Sequence, residues 1–330
     1  MQSSLKQHIP GILLALVIAA CAYALGLVIP VVGGPVFGIS LGIVVSTLWK
    51  PPVATRKGLK FTSKYILQLA VILLGFEMNL ASIIQTGRNS LLVILITLST
   101  AFLVAILVGR SLKLEPKLYT LIGVGTAICG GSAIAAASSA IDADDQDISY
   151  SISTIFLFNV IAVFLFPLAG HLLHLSDAGF GMWAGTAIND TSSVVAAGYA
   201  YSDAAGSFAT IVKLTRSLMI LPVTLALAML FSRQNQEGGS FNLGRVFPWF
   251  ILGFLAAAVL RSVGIIPAGS AHTLVALGKF FIIMAMTAIG LNTDIKAMIK
   301  AGPRALLLGA STWMAVILSS LSVQYLIQTW

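Results

Sequence analysis

The sequence predicts an all-α protein that crosses a membrane many times. Three observations carry this reading. Hydrophobic residues make up 58% of the 330-residue chain and charged residues only 9%, whereas a soluble domain carries about 25% charged residues. The mean hydropathy is +0.99. The apolar residues gather into about eleven runs near the roughly 20 residues a helix needs to cross a bilayer, with most charges in short segments between them. The net charge of +8 therefore belongs to loops at a lipid surface and implies no nucleic-acid partner.

The runs predict about eleven transmembrane helices, at about 10–29, 35–49, 62–79, 90–109, 118–140, 148–172, 179–200, 207–231, 246–263, 270–291 and 304–326. The first contains Ile18-Ala19-Ala20-Cys21, which resembles a lipoprotein cleavage box. It continues through Cys21 to Pro30, as a retained span does and a short signal segment does not. The second spaces Gly34, Gly38 and Gly42 four apart, a small-residue face for close helix packing. The third ends near Glu77. The eighth carries Lys213 and Arg216 three residues apart, hence on one helix face, followed by Pro222, where a kink is expected. The tenth carries Lys279 among Leu277, Phe280 and Phe281.

The fifth and seventh runs are unlike plain spans. Thr120–Ala140 holds Gly125, Thr126, Cys129, Gly130, Gly131 and Ser132 at its centre. A Gly-Gly pair inside a helix costs roughly 2 kcal/mol relative to Ala-Ala. Non-helical backbone survives at membrane depth only where protein buries it or a wet cavity adjoins it. Trp183–Ala197 repeats the pattern, with Gly-Thr-Ala-Ile, then Asn189-Asp190-Thr191-Ser192-Ser193, then small apolar residues. Both elements are expected to break at their centres and to form a transport site.

Lys and Arg fix the expected orientation. With the N-terminus cytoplasmic, fourteen cations lie inside: Lys6, Lys50, Arg56, Lys57, Lys60, Lys64, Arg110, Lys113, Lys117, Arg233, Arg245, Lys296, Lys300 and Arg304. Only Arg88 and Arg261 lie outside. The acidic loop with Asp142, Asp144, Asp145 and Asp147 then falls outside, and the C-terminus is periplasmic. LLGFEMNLASII (73–84) resembles MTAIGLNTDIKAMI (286–299), in spans of opposite direction, as an inverted repeat requires. The two Gly-Thr-Ala-Ile elements are instead an even number of spans apart. A re-entrant hairpin, a miscounted span or a chance likeness would each account for that.

Charges within spans cost about 2.5–3.5 kcal/mol each to insert. Lys213, Arg216 and Lys279 face only two acidic side chains placed to pair with them, Asp190 and Glu77. The surplus positive charge suits an anionic ligand. The broken elements would add helix N-termini with free N–H groups and the hydroxyls of Thr126, Ser132, Thr191, Ser192 and Ser193. Internal pairing and helix–helix hydrogen bonding are the structural alternatives. Cys21 and Cys129 lie in apolar runs, so no disulfide is expected, and Cys129 reads as a small packing residue. His8, His171, His174 and His272 are scattered, so neither metal nor cofactor is expected. No G-x-x-x-x-G-K-[ST] loop is present, and the chain is not expected to be an enzyme.

GTAICGGSAIAAASSAI, AGTAINDTSSVVAAG and KLTRSLMI resemble the YeiH-type bacterial family, which carries the name of sulfate exporters. The resemblance covers essentially the whole chain. It is grouped with the cation/proton antiporters and anion transporters, including the bile-acid symporters. It implies inverted repeats, two crossing broken helices at the midplane, and elevator-type transport in the bacterial inner membrane. It further implies a core of about 62–140, 178–232 and 270–302 and a panel of about 10–49 and 246–263. The expected function is secondary transport of a small anion such as sulfate or an organosulfur anion. Its expected ligands are Thr126, Cys129, Gly130, Gly131, Ser132, Asn189, Asp190, Thr191, Ser192, Lys213 and Arg216, with Asp190, Lys279 and Glu77 compensating charge or coupling H⁺ or Na⁺. A homodimer is an open expectation. One alternative is a cation/proton antiporter that uses Asp190 with Lys279 as its exchangeable partner. Another is an anion channel or a membrane scaffold.

Overall fold

The computed structural model describes residues 7–29, 32–49, 51–232, 247–294, 298 and 301–330. Lys6, Lys50, Arg233, Arg245, Lys296 and Lys300, which the orientation count uses, lie outside the described residues. The helices are α1 Ile9–Val28, α2 Gly34–Leu48, α3 Val53–Glu77, α4 Leu80–Ser111, α5 Pro116–Ala127, α6 Gly131–Ala140, α7 Asp145–Leu172, α8 Asp177–Ala187, α9 Thr191–Tyr201, α10 Asp203–Ser217, α11 Ile220–Ser232, α12 Phe250–Ser262, α13 Ala268–Asn292 and α14 Pro303–Leu326. Among the described residues seven helical segments, with α10 and the body of α11 counted as one, are long and apolar enough to cross a membrane, and α2 and α12 are shorter apolar helices. The protein is a multi-pass, all-helical membrane protein. The helix pauses at Leu218 and Met219 because Pro222 offers no N–H to the carbonyl four residues before it.

The two Gly-Thr-Ala-Ile elements break where the sequence predicts, and both turn back. Gly130 sits at φ 68°, ψ −131°, which a residue with a Cβ rarely adopts. Its N–H donates to Gly125 O at 2.9 Å, closing the end of α5. The Lys117 ammonium, at the start of α5, donates to the Asp142 carbonyl, just past α6. A straight helix would hold these residues roughly 37 Å apart at about 1.5 Å per residue, so α5 and α6 form a re-entrant hairpin. At the second element Ile188 is extended (φ −84°, ψ 134°). The Ser202 hydroxyl donates to Asp177 Oδ1 at 2.6 Å, and Tyr201 OH donates to Leu175 O at 2.5 Å. Thus α8 and α9 also form a hairpin.

Helix α7 crosses between the hairpins, so they enter from opposite faces and their tips meet. A Cβ on Gly130 would lie 3.5 Å from Asp190 Cβ. This explains the even spacing of the two elements: each reverses direction, and the α7 crossing inverts one relative to the other. It also corrects the placement of the acidic loop. Asp142 returns to the face that carries Arg110, Lys113 and Lys117, because the Gly-Gly break reverses the chain instead of carrying it across. At the other face the C-terminus closes against the α7–α8 connection. Ser176 Oγ donates to Trp330 O at 2.9 Å and Trp330 Nε1 donates to Leu173 O at 3.2 Å.

The helices pack as two groups. α1, α2, α3, α12 and α13 form one. Gly38 and Gly42 let α2 press on α13, where added Cβ atoms would lie 2.9 Å from Ile283 O and 2.5 Å from Thr287 O, the close contact expected of that face. α4 to α11 and α14 surround the hairpins in the other. The groups meet mainly where α9 lies on α2 and α13, with Val195, Ala196 and Ala200 packed against Val36, Ile39, Ile282 and Met286. Segment 62–77 packs mainly on α12 and α13, and 270–292 on α1, α2 and α3. Gly75 fits 62–77 closely against Phe254 of α12, and Gly290 fits 270–292 closely against Ile39 of α2.

Candidate functional site

Each hairpin tip brings together the C-terminus of one short helix and the N-terminus of the next. These ends carry opposite partial charges of about half an elementary charge. Both C-termini are closed by two cations from α10. Lys213 Nζ donates to Ile128 O at 2.8 Å, Ile188 O at 2.9 Å and Asn189 O at 2.5 Å. Arg216 donates through Nε to Ala127 O at 2.7 Å, through Nη1 to Ile188 O at 3.3 Å, and through Nη2 to Thr126 O. Trp313 Nε1 adds a bond to Ala187 O at 3.0 Å. Lys213 and Arg216 are both 0% exposed. The two cations are solvated by backbone carbonyls that a helix end otherwise leaves without partners. The sequence reading paired them with carboxylates or an exogenous anion; it had no means of seeing the carbonyls.

The N-termini of α6 and α9 are less enclosed. At α9 the Asp190 carboxylate caps its own helix, accepting from Ser192 N at 2.9 Å and from the Ser192 hydroxyl. Asp190 N donates to Asn159 Oδ1 at 3.2 Å. Asn159, buried on α7, thus holds the second tip and lies beside Gly130 of the first, where a Cβ would be 3.7 Å from its Nδ2. Sequence reasoning passed over it, although a lone amide within FLFNVIAVF was a visible signal. At α6 no side chain caps the helix. A Cβ on Gly131 would meet nothing within 4 Å, and Ser132 is exposed. Asp190 and Thr191 are half-exposed, whereas Cys129 and Ser192 are buried. The Thr126 hydroxyl is spent within its own helix, on Ile122 O at 2.9 Å, so Thr126 reaches the site through its carbonyl. Asn189 is 0% exposed, and neither its Oδ1 nor its Nδ2 has a hydrogen-bond partner. A buried, unpaired carboxamide costs about 1–3 kcal/mol per group.

Lys279 and Glu77 lie elsewhere. Lys279 Nζ is 3.2 Å from Glu77 Oε1 and 2.8 Å from Asp203 Oδ1. Glu77 Oε2 also accepts from Tyr199 OH and Ser207 Oγ, each at 3.0 Å. Among the described residues no ion pair joins Lys279 to Asp190, and no three His, Cys, Asp or Glu side chains gather as a metal site. Formal charge at the tips is therefore two cations against one carboxylate.

A family model described as conserved hypothetical protein 698 matches residues 10–309, which span both hairpins and α10. The chain is 44% identical to a UPF0324 membrane protein of Streptococcus agalactiae, over 98% of this chain and 99% of that one. It is 46% identical to one of Streptococcus pyogenes, over 98% of each. It is 45% identical to one of Fusobacterium nucleatum, over 95% and 96% respectively.

Proposed function

The chain belongs to the family described as conserved hypothetical protein 698, and on that premise we propose that it is a secondary transporter of a small anion such as sulfate or an organosulfur anion. One observation carries the reading. Two opposed hairpin tips present the N-termini of α6 and α9 beside the unpaired Asn189 carboxamide, at a point where formal positive charge is in excess. Helix N-termini favour anions through free N–H groups and the dipole. Gly131 leaves room for a ligand to approach the backbone. Lys213 and Arg216 act here through their field, across the tip backbone they hold, and not as direct ligands. Re-entrant half-helices facing one another from opposite sides suit a site opened alternately to either face. The group holding the hairpins would move against the group of α1, α2, α3, α12 and α13 in an elevator-like step. The native setting in this reading is the bacterial inner membrane, with the N-terminus cytoplasmic.

The test is uptake of labelled sulfate and of a panel of organosulfonates into proteoliposomes. Saturable exchange with an internal anion is expected, and Asn189→Asp should reduce it at least tenfold by adding a negative charge. An unchanged rate in that variant, or flux that never saturates, would refute the reading. A second reading, cation/proton antiport, is favoured by the half-exposed Asp190 carboxylate. It must do without Lys279 as Asp190's partner. Proton movement driven by an imposed sodium gradient and lost in Asp190→Asn would select it.

A further inference from the structure

We propose that the Lys213 ammonium occupies a monovalent-cation site built into the hairpin tips, so that the tips need no dissociable coupling cation such as Na⁺. The coupling consequence rests on the transporter reading above; the cation site itself does not. Nζ lies 2.8, 2.9 and 2.5 Å from three backbone carbonyls, two from the second tip and one from the first. Converging carbonyls at broken helices are the ligands with which membrane proteins hold alkali ions. Here all three are taken by a tethered cation that cannot leave. Arg216 takes Thr126 O and Ala127 O beside it and shares Ile188 O. Trp313 takes Ala187 O. The tip carbonyls from Thr126 to Ile128 and from Ala187 to Asn189 thus all have a donor from α10 or α14.

One oxygen of the carboxylate that would help hold a free cation is engaged at a helix N-terminus. Asp190, the acidic group at the tips, directs its Oδ2 to Ser192 at the N-terminus of α9. The ammonium also bridges the two hairpins, since Ile128 belongs to one and Ile188 and Asn189 to the other. It fixes their tips together whether or not a ligand is bound.

The experiment uses ligand-free, purified full-length protein and the cations themselves as probes. Melting temperature is measured at constant ionic strength in sodium, potassium, ammonium, methylammonium and choline chloride. Wild-type protein is expected to melt at one temperature, within a degree or two, in all five. Lys213→Ala is expected to melt lower in choline, which is too large for the cage, and to recover saturably with ammonium, methylammonium or sodium. Saturable stabilisation of the wild type by sodium over choline would overturn the proposal. So would a Lys213→Ala protein that melts at the wild-type temperature, or that is destabilised without response to any small cation. Should Lys213→Ala not be recovered, Lys213→Met carries the same comparison, and the wild-type series decides by itself. Since no anion is present, these outcomes stand apart from those of the uptake assay.

Discussion

The two hairpins share a sequence opening, a length and a bend, yet they are held and capped differently. Hairpin 1 (α5–α6) turns on Gly130 with positive φ, has no side-chain cap on α6, and leaves open space at Gly131. Hairpin 2 (α8–α9) turns on extended Ile188 and caps α9 with a carboxylate. Hairpin 1 packs within its own group of helices, whereas α9 of hairpin 2 also touches α2 and α13 of the other. The same Gly-Thr-Ala-Ile opening thus serves one tip that exposes bare backbone and one that carries its own negative charge and the contact between helix groups. Geometry was duplicated; electrostatics and packing were not.

The bracing cations offer the largest perturbation of this contrast. Arg216 serves mainly hairpin 1, through Thr126 O and Ala127 O, and only shares Ile188 O with Lys213. Arg216→Leu orphans two buried carbonyls of hairpin 1, a cost of about 2–6 kcal/mol at about 1–3 kcal/mol each. Buried Cys129, at that tip, reports it. In a Cys21→Ser background, alkylation of Cys129 should accelerate at least tenfold in Arg216→Leu. A cysteine at 189, read in Cys129→Ala protein, should respond much less. Equal acceleration at both tips would mean that the hairpins are braced as one unit.

The turn residues come next. Gly130→Ala forces a Cβ into a backbone region that costs about 1–3 kcal/mol for non-glycine residues, and thermal unfolding should show it. Gly131→Ala adds a methyl group where nothing lies within 4 Å. Its stability should match wild type while anion flux falls, because that space is the proposed ligand's. The comparison breaks if Gly131→Ala transports normally.

Much of this was legible in the sequence, and the reasons for the remainder are physical. Hydropathy located all eleven apolar segments, and the Gly-Gly and Asn-Asp interruptions marked both breaks. Whether a broken helix crosses or returns depends on what its ends touch. The contacts of Lys117 with Asp142 and of Asp177 with Ser202 span about 25 residues each, and no periodicity encodes them. Lys213 and Arg216 were identifiable as costly buried charges. Their partners were not, because a helix C-terminus is an acceptor that bears no letter of its own. Glu77 was singled out as an intramembrane carboxylate, but its partners come from α9, α10 and α13.

That Glu77 cluster gives the smallest and most local test. Tyr199 and Ser207 donate to Glu77, and Asp203 pairs with Lys279, so three residues of α9 and α10 are tied to α3 and α13. The Lys279 and Glu77 side chains are each 28% exposed and Asp203 is 71% exposed, and ion pairs this wet contribute about 0–1 kcal/mol. Glu77→Gln and Asp203→Asn should therefore leave global stability nearly unchanged. Their effect should instead appear where the two helix groups meet. Ala200 is buried there, with Gly33 of the other group close enough that a Cβ on it would lie 3.1 Å from Ala200 Cβ. In a Cys21→Ser background, alkylation of a cysteine at 200 should rise a few-fold in Glu77→Gln, because the groups separate more often. A cysteine at 140, which ends hairpin 1 on the opposite face, should label at its original rate. Equal gains at both positions would point to general loosening, and no gain at 200 would mean that apolar packing of α9 on α2 and α13 holds the groups together without the cluster.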